Sequence, residues 1–341
     1  MPLFLQMLRE QTAASPERMA AAMAGLAAYQ SAPRGPARRM AGVCCRRGRA
    51  RLRGYGAPGN RPRRAIIVVP SLINPPFILD LTRETSLLRW LSSLGLNVFL
   101  LDWGTPAASA RDLDVGAHAE QILVPLIKRF REPPIVVGYC LGGTIAAAAA
   151  CLTPVAGLAT IATPWRFDGF GPVARAQIAA LWERARPLCD AIGLVPMEVL
   201  QSGFWRLDPA RTIAKYEAFA AMSPTSDAAR SFVALEDWAN AGAPLPYATG
   251  RQLFEDFVGR DLPGTGQWSV AGQLLDPAAI DCPTIDFVSL SDRIVPAATA
   301  SGIANRHDLS AGHVGMIVGG RARDQLWQPL ADWLSGIAGT K

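Results

Sequence analysis

Cys140 stands in the run Ile135-Val136-Val137-Gly138-Tyr139-Cys140-Leu141-Gly142-Gly143, where β-branched residues give way to small ones and then to an alanine-rich stretch after Thr144. That order reads as strand, sharp turn and helix. Glycines two before and two after the cysteine permit the strained turn of a nucleophile elbow, which lifts the side chain off the sheet at the positive end of the new helix. The alternative is a cysteine packed as a small hydrophobe on a glycine-rich turn, and the full elbow context favours the nucleophile. A thiol nucleophile needs a base to take its proton and an acid to orient that base. The chain has three histidines. His118 falls inside a predicted helix and reads as a surface or helix-packing residue, and His307 starts a short strand. His313 lies in the glycine-flanked loop Ala311-Gly312-His313-Val314-Gly315 beyond that strand, where a general base belongs. Asp292 follows a predicted strand directly and is the expected orienting acid, with Asp102 and Asp286 as runners-up. Cys140, Asp292, His313 is the nucleophile, acid, base order of such sites. The oxyanion hole is expected to combine the N–H of Leu141 with one from Pro70-Ser71-Leu72-Ile73-Asn74, where Ser71, Leu72 and Ile73 are equally defensible and Leu72 stands for the three.

These side chains need elements that bring strand ends together. Ala65 to Pro70 is a short apolar strand, Glu84 to Leu94 a helix with Leu87, Leu88 and Leu91 on one face, and Asn97 to Asp102 a second strand. A helix from Gly116 to Arg129 precedes the elbow strand, and Val155 to Ala162 is the strand after the elbow helix. Strands Thr284 to Leu290 and His307 to Leu309 come later, followed by a helix at about Arg323 to Trp333. Strands alternating with helices at this spacing predict an α/β architecture of the α/β-hydrolase type, a mostly parallel sheet with helices on both faces. Residues 65–165 and 281–341 form its expected core. The interval 166–280 carries Trp182, Trp205, Trp238 and Trp268 and several helical segments but no convincing buried strand. It is expected to be an inserted helical cap that covers the site, its aromatics mostly its own small core. Residues 1–64 read as an N-terminal helix to about residue 30, then an Arg-, Pro- and Gly-rich linker or irregular cover.

Composition narrows the function classes. Half of the 341 residues are apolar, enough for a large core, and basic residues outnumber acidic ones by 34 to 28. The surplus is local: Arg34, Arg38, Arg39, Arg46, Arg47, Arg49, Arg51, Arg53, Arg61, Arg63 and Arg64 crowd one stretch, and the remainder is mildly acidic. The expectation for that stretch is a solvated, mobile basic arm, with contact to an acidic partner, nucleic acid or an anionic surface as the alternative; nothing in it recognises bases, so no nucleic acid is expected. Six cysteines show neither metal-ligand spacing nor the density of a disulfide scaffold, which fits a reducing cytoplasm and no metal. Met1 to Glu10 makes a poor signal peptide. Residues 133–165 hold no charge, yet Gly142, Gly143, Pro154, Gly157 and Pro164 divide them into pieces of a buried core, so no transmembrane segment is expected.

Four stretches resemble the polyhydroxyalkanoate synthases, which polymerise hydroxyacyl-CoA thioesters into storage polyester. They are Pro70-Ser71-Leu72-Ile73-Asn74 running into Ile78-Leu79-Asp80-Leu81 and Ser86-Leu87-Leu88-Arg89-Trp90-Leu91; Val98-Phe99-Leu100-Leu101-Asp102-Trp103-Gly104; Gly138-Tyr139-Cys140-Leu141-Gly142-Gly143; and Asp292-Arg293-Ile294-Val295-Pro296 with Gly312-His313-Val314-Gly315. The likeness spans residues 65–335, and the cysteine elbow is its most specific part. It implies that Cys140 is acylated, that His313 deprotonates it, and that Asp292 supports His313 or helps activate the incoming hydroxyl. It also implies a hydroxyacyl-CoA substrate with no cofactor beyond that thioester, a polyester product, and a cytoplasmic setting that includes polyester granules. In length the chain resembles the short catalytic subunits of the family, which implies a homodimer or a separate partner subunit. A thiol suits the chemistry, because exchange between thioesters keeps the acyl group active and a thiol is intrinsically more acidic than an alcohol. Two other readings compete: a thioesterase or polyester depolymerase on the same fold, and a non-catalytic granule-binding protein that uses the basic stretch. No phosphate loop with Lys and Ser/Thr is present, and Arg166, Arg206 and Arg211 read equally well as CoA contacts or as ordinary surface charges.

Overall fold

A computed structural model describes residues 2–35, 39–56 and 64–339. Its main sheet has eight strands, which we number β1 (Val43–Arg47), β2 (Ala50–Gly54), β3 (Ala65–Val69), β4 (Asn97–Asp102), β5 (Ile135–Tyr139), β6 (Gly157–Ile161), β7 (Thr284–Ser289) and β8 (Arg306–Leu309). They lie in the order β1-β2-β4-β3-β5-β6-β7-β8. Only β2 runs against the others. Every residue of β3, β5 and β6 is buried, which explains their continuous apolar runs. The register pairs Val69 with Gly138 and Tyr139 with Ile161, so these strands end together at one edge of the sheet. The loops that begin at Pro70, Cys140, Leu290 and Ser310 all leave from that edge, where α/β sheets carry their sites.

The helix after the elbow, Leu141–Leu152, is buried along almost its whole length, from Leu141 through Ala149. Small alanine side chains let it approach the sheet closely, and the uncharged stretch is interior rather than a membrane span. Among the described residues no helix is long and apolar enough to cross a membrane. The helix predicted from Glu84 begins instead at Leu87, because Ser86 caps it: its hydroxyl accepts the Arg89 N–H at 3.1 Å.

The segment expected to be a linker or mobile arm is corrected by β1 and β2, an antiparallel pair that joins the sheet beside β4. Buried Ala50 and Leu52 alternate with half-buried Arg51 and Arg53, the period-two pattern of a half-buried strand. Arg53 pairs with Asp102 at 2.8 Å, and Arg47 donates to the Gln121 carbonyl. Arg34 is held by Asp237 at 2.9 Å. Arg38, Arg61 and Arg63 lie outside the described residues.

The chain divides into two compact units, Met1–Arg39 with Met197–Gly242, and Met40–Pro196 with Ala243–Lys341. The first is helical: Pro2–Thr12 and Pro16–Ser31 pack with Pro209–Ala220 around Phe4, Leu8, Ala22, Leu26, Ile213 and Tyr216. The second holds the sheet. The interval 166–280 is therefore shared between them, with Trp205 against Phe4 in the first unit and Trp182 stacked on Phe254 at 5.0 Å in the second.

Candidate active site

Cys140 follows β5 at φ 55° and ψ −133°, a conformation that costs a non-glycine residue about 1–3 kcal/mol and persists only where the surroundings dictate it. They do. Its N–H donates to the Ile161 carbonyl at 2.9 Å, and its carbonyl accepts the Gly143 N–H at 2.8 Å. A Cβ on Gly138 would come 2.3 Å from the Gly143 Cα, and one on Gly142 would come 2.3 Å from the carbonyl oxygens of both Val69 and Pro70. The elbow and the loop after β3 are thus packed backbone to backbone. Trp103 fastens that loop by donating to the Pro70 carbonyl at 2.9 Å.

Asp292 and His313 meet at the ends of β7 and β8. His313 Nδ1 lies 2.6 Å from Asp292 Oδ2, while Asp292 Oδ1 accepts the N–H groups of Ile294 and Val295 at 2.7 and 2.9 Å. Both carboxylate oxygens are engaged, so the Asp292 side chain is fixed. Two serines tie its loop to that of His313: Ser289 donates to the Ala311 carbonyl at 2.6 Å and Ser291 to the Ser310 carbonyl at 2.7 Å. Burial of the His313 ring opposes its charged form, but the charge of the Cys140 thiolate, hydrogen bonds to Asp292 and Cys140, and the Asp292 charge push it up to about 10. Cys140, His313 and Asp292 form one connected line.

Tyr139 closes β5 just before Cys140. Its ring stacks on His313 with centroids 5.1 Å apart and planes at 28°, and its hydroxyl donates to the His313 carbonyl at 3.1 Å. Burial and the nearby charges of Cys140 and Asp292 hold the phenol well above its ordinary value, so it stays a donor. Its place beside Cys140 was the available signal.

The other candidates lie elsewhere. His118 is fully buried, with Nδ1 2.7 Å from the Asp114 carbonyl and Nε2 3.0 Å from Arg49; burial above all lowers it to about 4, so it packs as a neutral ring. His307 packs on Phe287. Asp102 accepts from Arg53, and Asp286 from Thr160 and Ser301. Leu141 opens its helix, so its N–H has no intrahelical acceptor. In the β3 loop the Ile73 N–H is taken by the Ser71 hydroxyl at 3.2 Å, whereas the Leu72 N–H makes no hydrogen bond among the described residues. Arg166 packs over Gly302, and the backbone N–H of Arg211 donates to the Asp208 side chain that caps its helix, at 3.0 Å; the Arg206 side chain lies outside the described residues.

Comparison with known proteins agrees with this architecture. The model of a family described as an alpha/beta hydrolase family matches residues 74–325. The poly(3-hydroxyalkanoate) polymerase subunit PhaC of Haloferax mediterranei is 27% identical over 79% of this chain and 58% of its own length. That of Thiocystis violacea is 27% identical over 82% of this chain and 84% of its own. The chain spans about three fifths of the length of the first of these, and the resemblance named from the sequence is carried by both. Among solved structures, a monoacylglycerol lipase from Paleococcus ferrophilus superposes with a TM-score of 0.52 at 17% identity, covering 84% of this chain and 98% of its own, which speaks for the fold alone.

Proposed function

Because the chain belongs to the alpha/beta hydrolase family, we propose that it is an acyltransferase that polymerises (R)-3-hydroxyacyl-CoA into polyhydroxyalkanoate, releasing CoA through a covalent acyl-cysteine. The observation that carries this reading is the strained elbow cysteine joined through His313 to Asp292. The substrate class comes from the polymerase subunits to which the chain is similar.

In this mechanism His313 holds the proton given up by Cys140, and the thiolate sulfur attacks the thioester carbonyl carbon. The N–H groups of Leu141 and Leu72 receive the charge that develops on the carbonyl oxygen. Collapse breaks the bond to the CoA sulfur, which leaves with the proton from His313, and the acyl group stays on Cys140 as a thioester. The hydroxyl of the next hydroxyacyl-CoA then gives its proton to His313, and its oxygen attacks the acyl carbon. An ester forms and the Cys140 sulfur is freed for the next exchange. Asp292 orients the ring and balances its charge throughout. Water must be kept from the acyl-cysteine, since hydrolysis competes with the hydroxyl. The same reading implies a cytoplasmic protein at polyester granules, acting as a homodimer or with a partner subunit.

Mass spectrometry after incubation with 3-hydroxybutyryl-CoA tests it. A hydroxybutyryl adduct on Cys140, CoA release and insoluble polymer are expected. CoA release accompanied only by free hydroxy acid would favour a thioesterase, and then Cys140→Ser should retain much activity instead of being crippled. Neither adduct nor release would sink both readings.

A further inference from the structure

Within the second unit a pocket of about 420 Å³ opens between the segments Arg83–Ser93 and Val318–Trp327, a volume suited to a small organic ligand. Its charge is unbalanced. Arg89 is answered by buried Asp80, Nε to Oδ1 at 2.9 Å, and the Ser86 hydroxyl also donates to that carboxylate. Arg83 and Arg323 have no carboxylate partner among the described residues, and Glu84 is the one carboxylate in the lining. Arg323 lies over the Trp90 ring, 5.4 Å from its centroid, and Trp90 leans on Trp327 at 5.7 Å. Two guanidiniums without an acid, beside an aromatic face, suit a planar ring that carries phosphate.

Both walls continue loops of the proposed site. The first closes the loop that starts at Pro70 and carries the Leu72 amide. The second begins five residues beyond His313. We propose that this pocket holds the phosphate-bearing adenosine end of the acyl-CoA. The inference rests on the function proposed above and supplies what the sequence lacked, a place for the phosphates without a phosphate loop.

Calorimetric titration of the whole chain with adenosine 3′,5′-bisphosphate, which has neither thiol nor acyl group, tests the pocket apart from the chemistry. One molecule should bind, and the double variant Arg83→Gln, Arg323→Gln should weaken it by about tenfold or more, the loss of charge-assisted hydrogen bonds. Glu84→Gln should move affinity the other way, which a mere folding defect would not do. No binding, or an affinity indifferent to all three changes, overturns the assignment. Inorganic phosphate that binds as tightly as the bisphosphate also overturns it, by marking a bare anion site. In turnover, the double variant should lower the preference for 3-hydroxybutyryl-CoA over the N-acetylcysteamine thioester by a similar factor, and an unchanged preference counts against the pocket. Absence of any acyl transfer would instead sink the proposed function while the titration still decides the site.

Discussion

His313 carries opposing influences on a single proton. Burial alone would strip it, yet the thiolate and Asp292 hold it so firmly that the ring is pushed up to about 10. The direction has a kinetic consequence. A raised value means the imidazolium persists through neutral pH and is lost only as pH rises through about 10. If it protonates the departing CoA sulfur, acylation should fall on that basic side. Asp292→Asn removes the charge and the acceptor at Nδ1, so it should shift that fall to lower pH and slow CoA release by about a hundredfold or more. Single-turnover release measured from pH 6 to 10.5 checks both, and an unshifted basic limb would remove Asp292 from the proposed line. The structure brings Cys140, Asp292 and His313 together because each lies within the first few residues beyond a strand, a position readable in the sequence, and strand ends of a parallel sheet converge. Tyr139 was not legible there, because no spacing in the sequence tells that its ring will stack on a residue 174 positions away.

The hairpin β1–β2 is the element the sequence concealed. Counting arginines suggests a solvated arm, whereas Ala50-Arg51-Leu52-Arg53 alternates with the period of a strand. Charge count and alternation compete in so short a run, and here the burial of Leu52 and the Arg53–Asp102 pair decide it. The core strands were easier, since unbroken β-branched runs fit only a doubly covered sheet. Leu52 is 1% exposed, so Leu52→Ala should cost about 2–5 kcal/mol in urea unfolding, the range for a buried leucine. A mobile arm would give close to no change.

At the scale of the whole chain, one unit is assembled from segments more than 150 residues apart, Met1–Arg39 and Met197–Gly242. Local periodicity reads helices in both but carries no record of their pairing, which is why the interval 166–280 reads as one cap. The contact depends on a small residue. A Cβ on Gly25 would sit 1.9 Å from the Tyr216 carbonyl oxygen, and Tyr216 is itself anchored by a hydrogen bond from its hydroxyl to buried Glu236 at 2.9 Å. Backbone cannot yield as a flexible side chain would, so Gly25→Ala must push the helix Pro16–Ser31 away from Pro209–Ala220. The expected cost is about 1–3 kcal/mol, which for a body of this size corresponds to a melting shift of about 4–8 °C per kcal/mol. Because each unit buries its own apolar residues, calorimetry of the intact chain should resolve two transitions, of which Gly25→Ala lowers only one. The unmoved transition should be the one that Leu52→Ala lowers, since Leu52 belongs to the sheet. A single transition that both substitutions depress alike would mean that the units fold as one cooperative body.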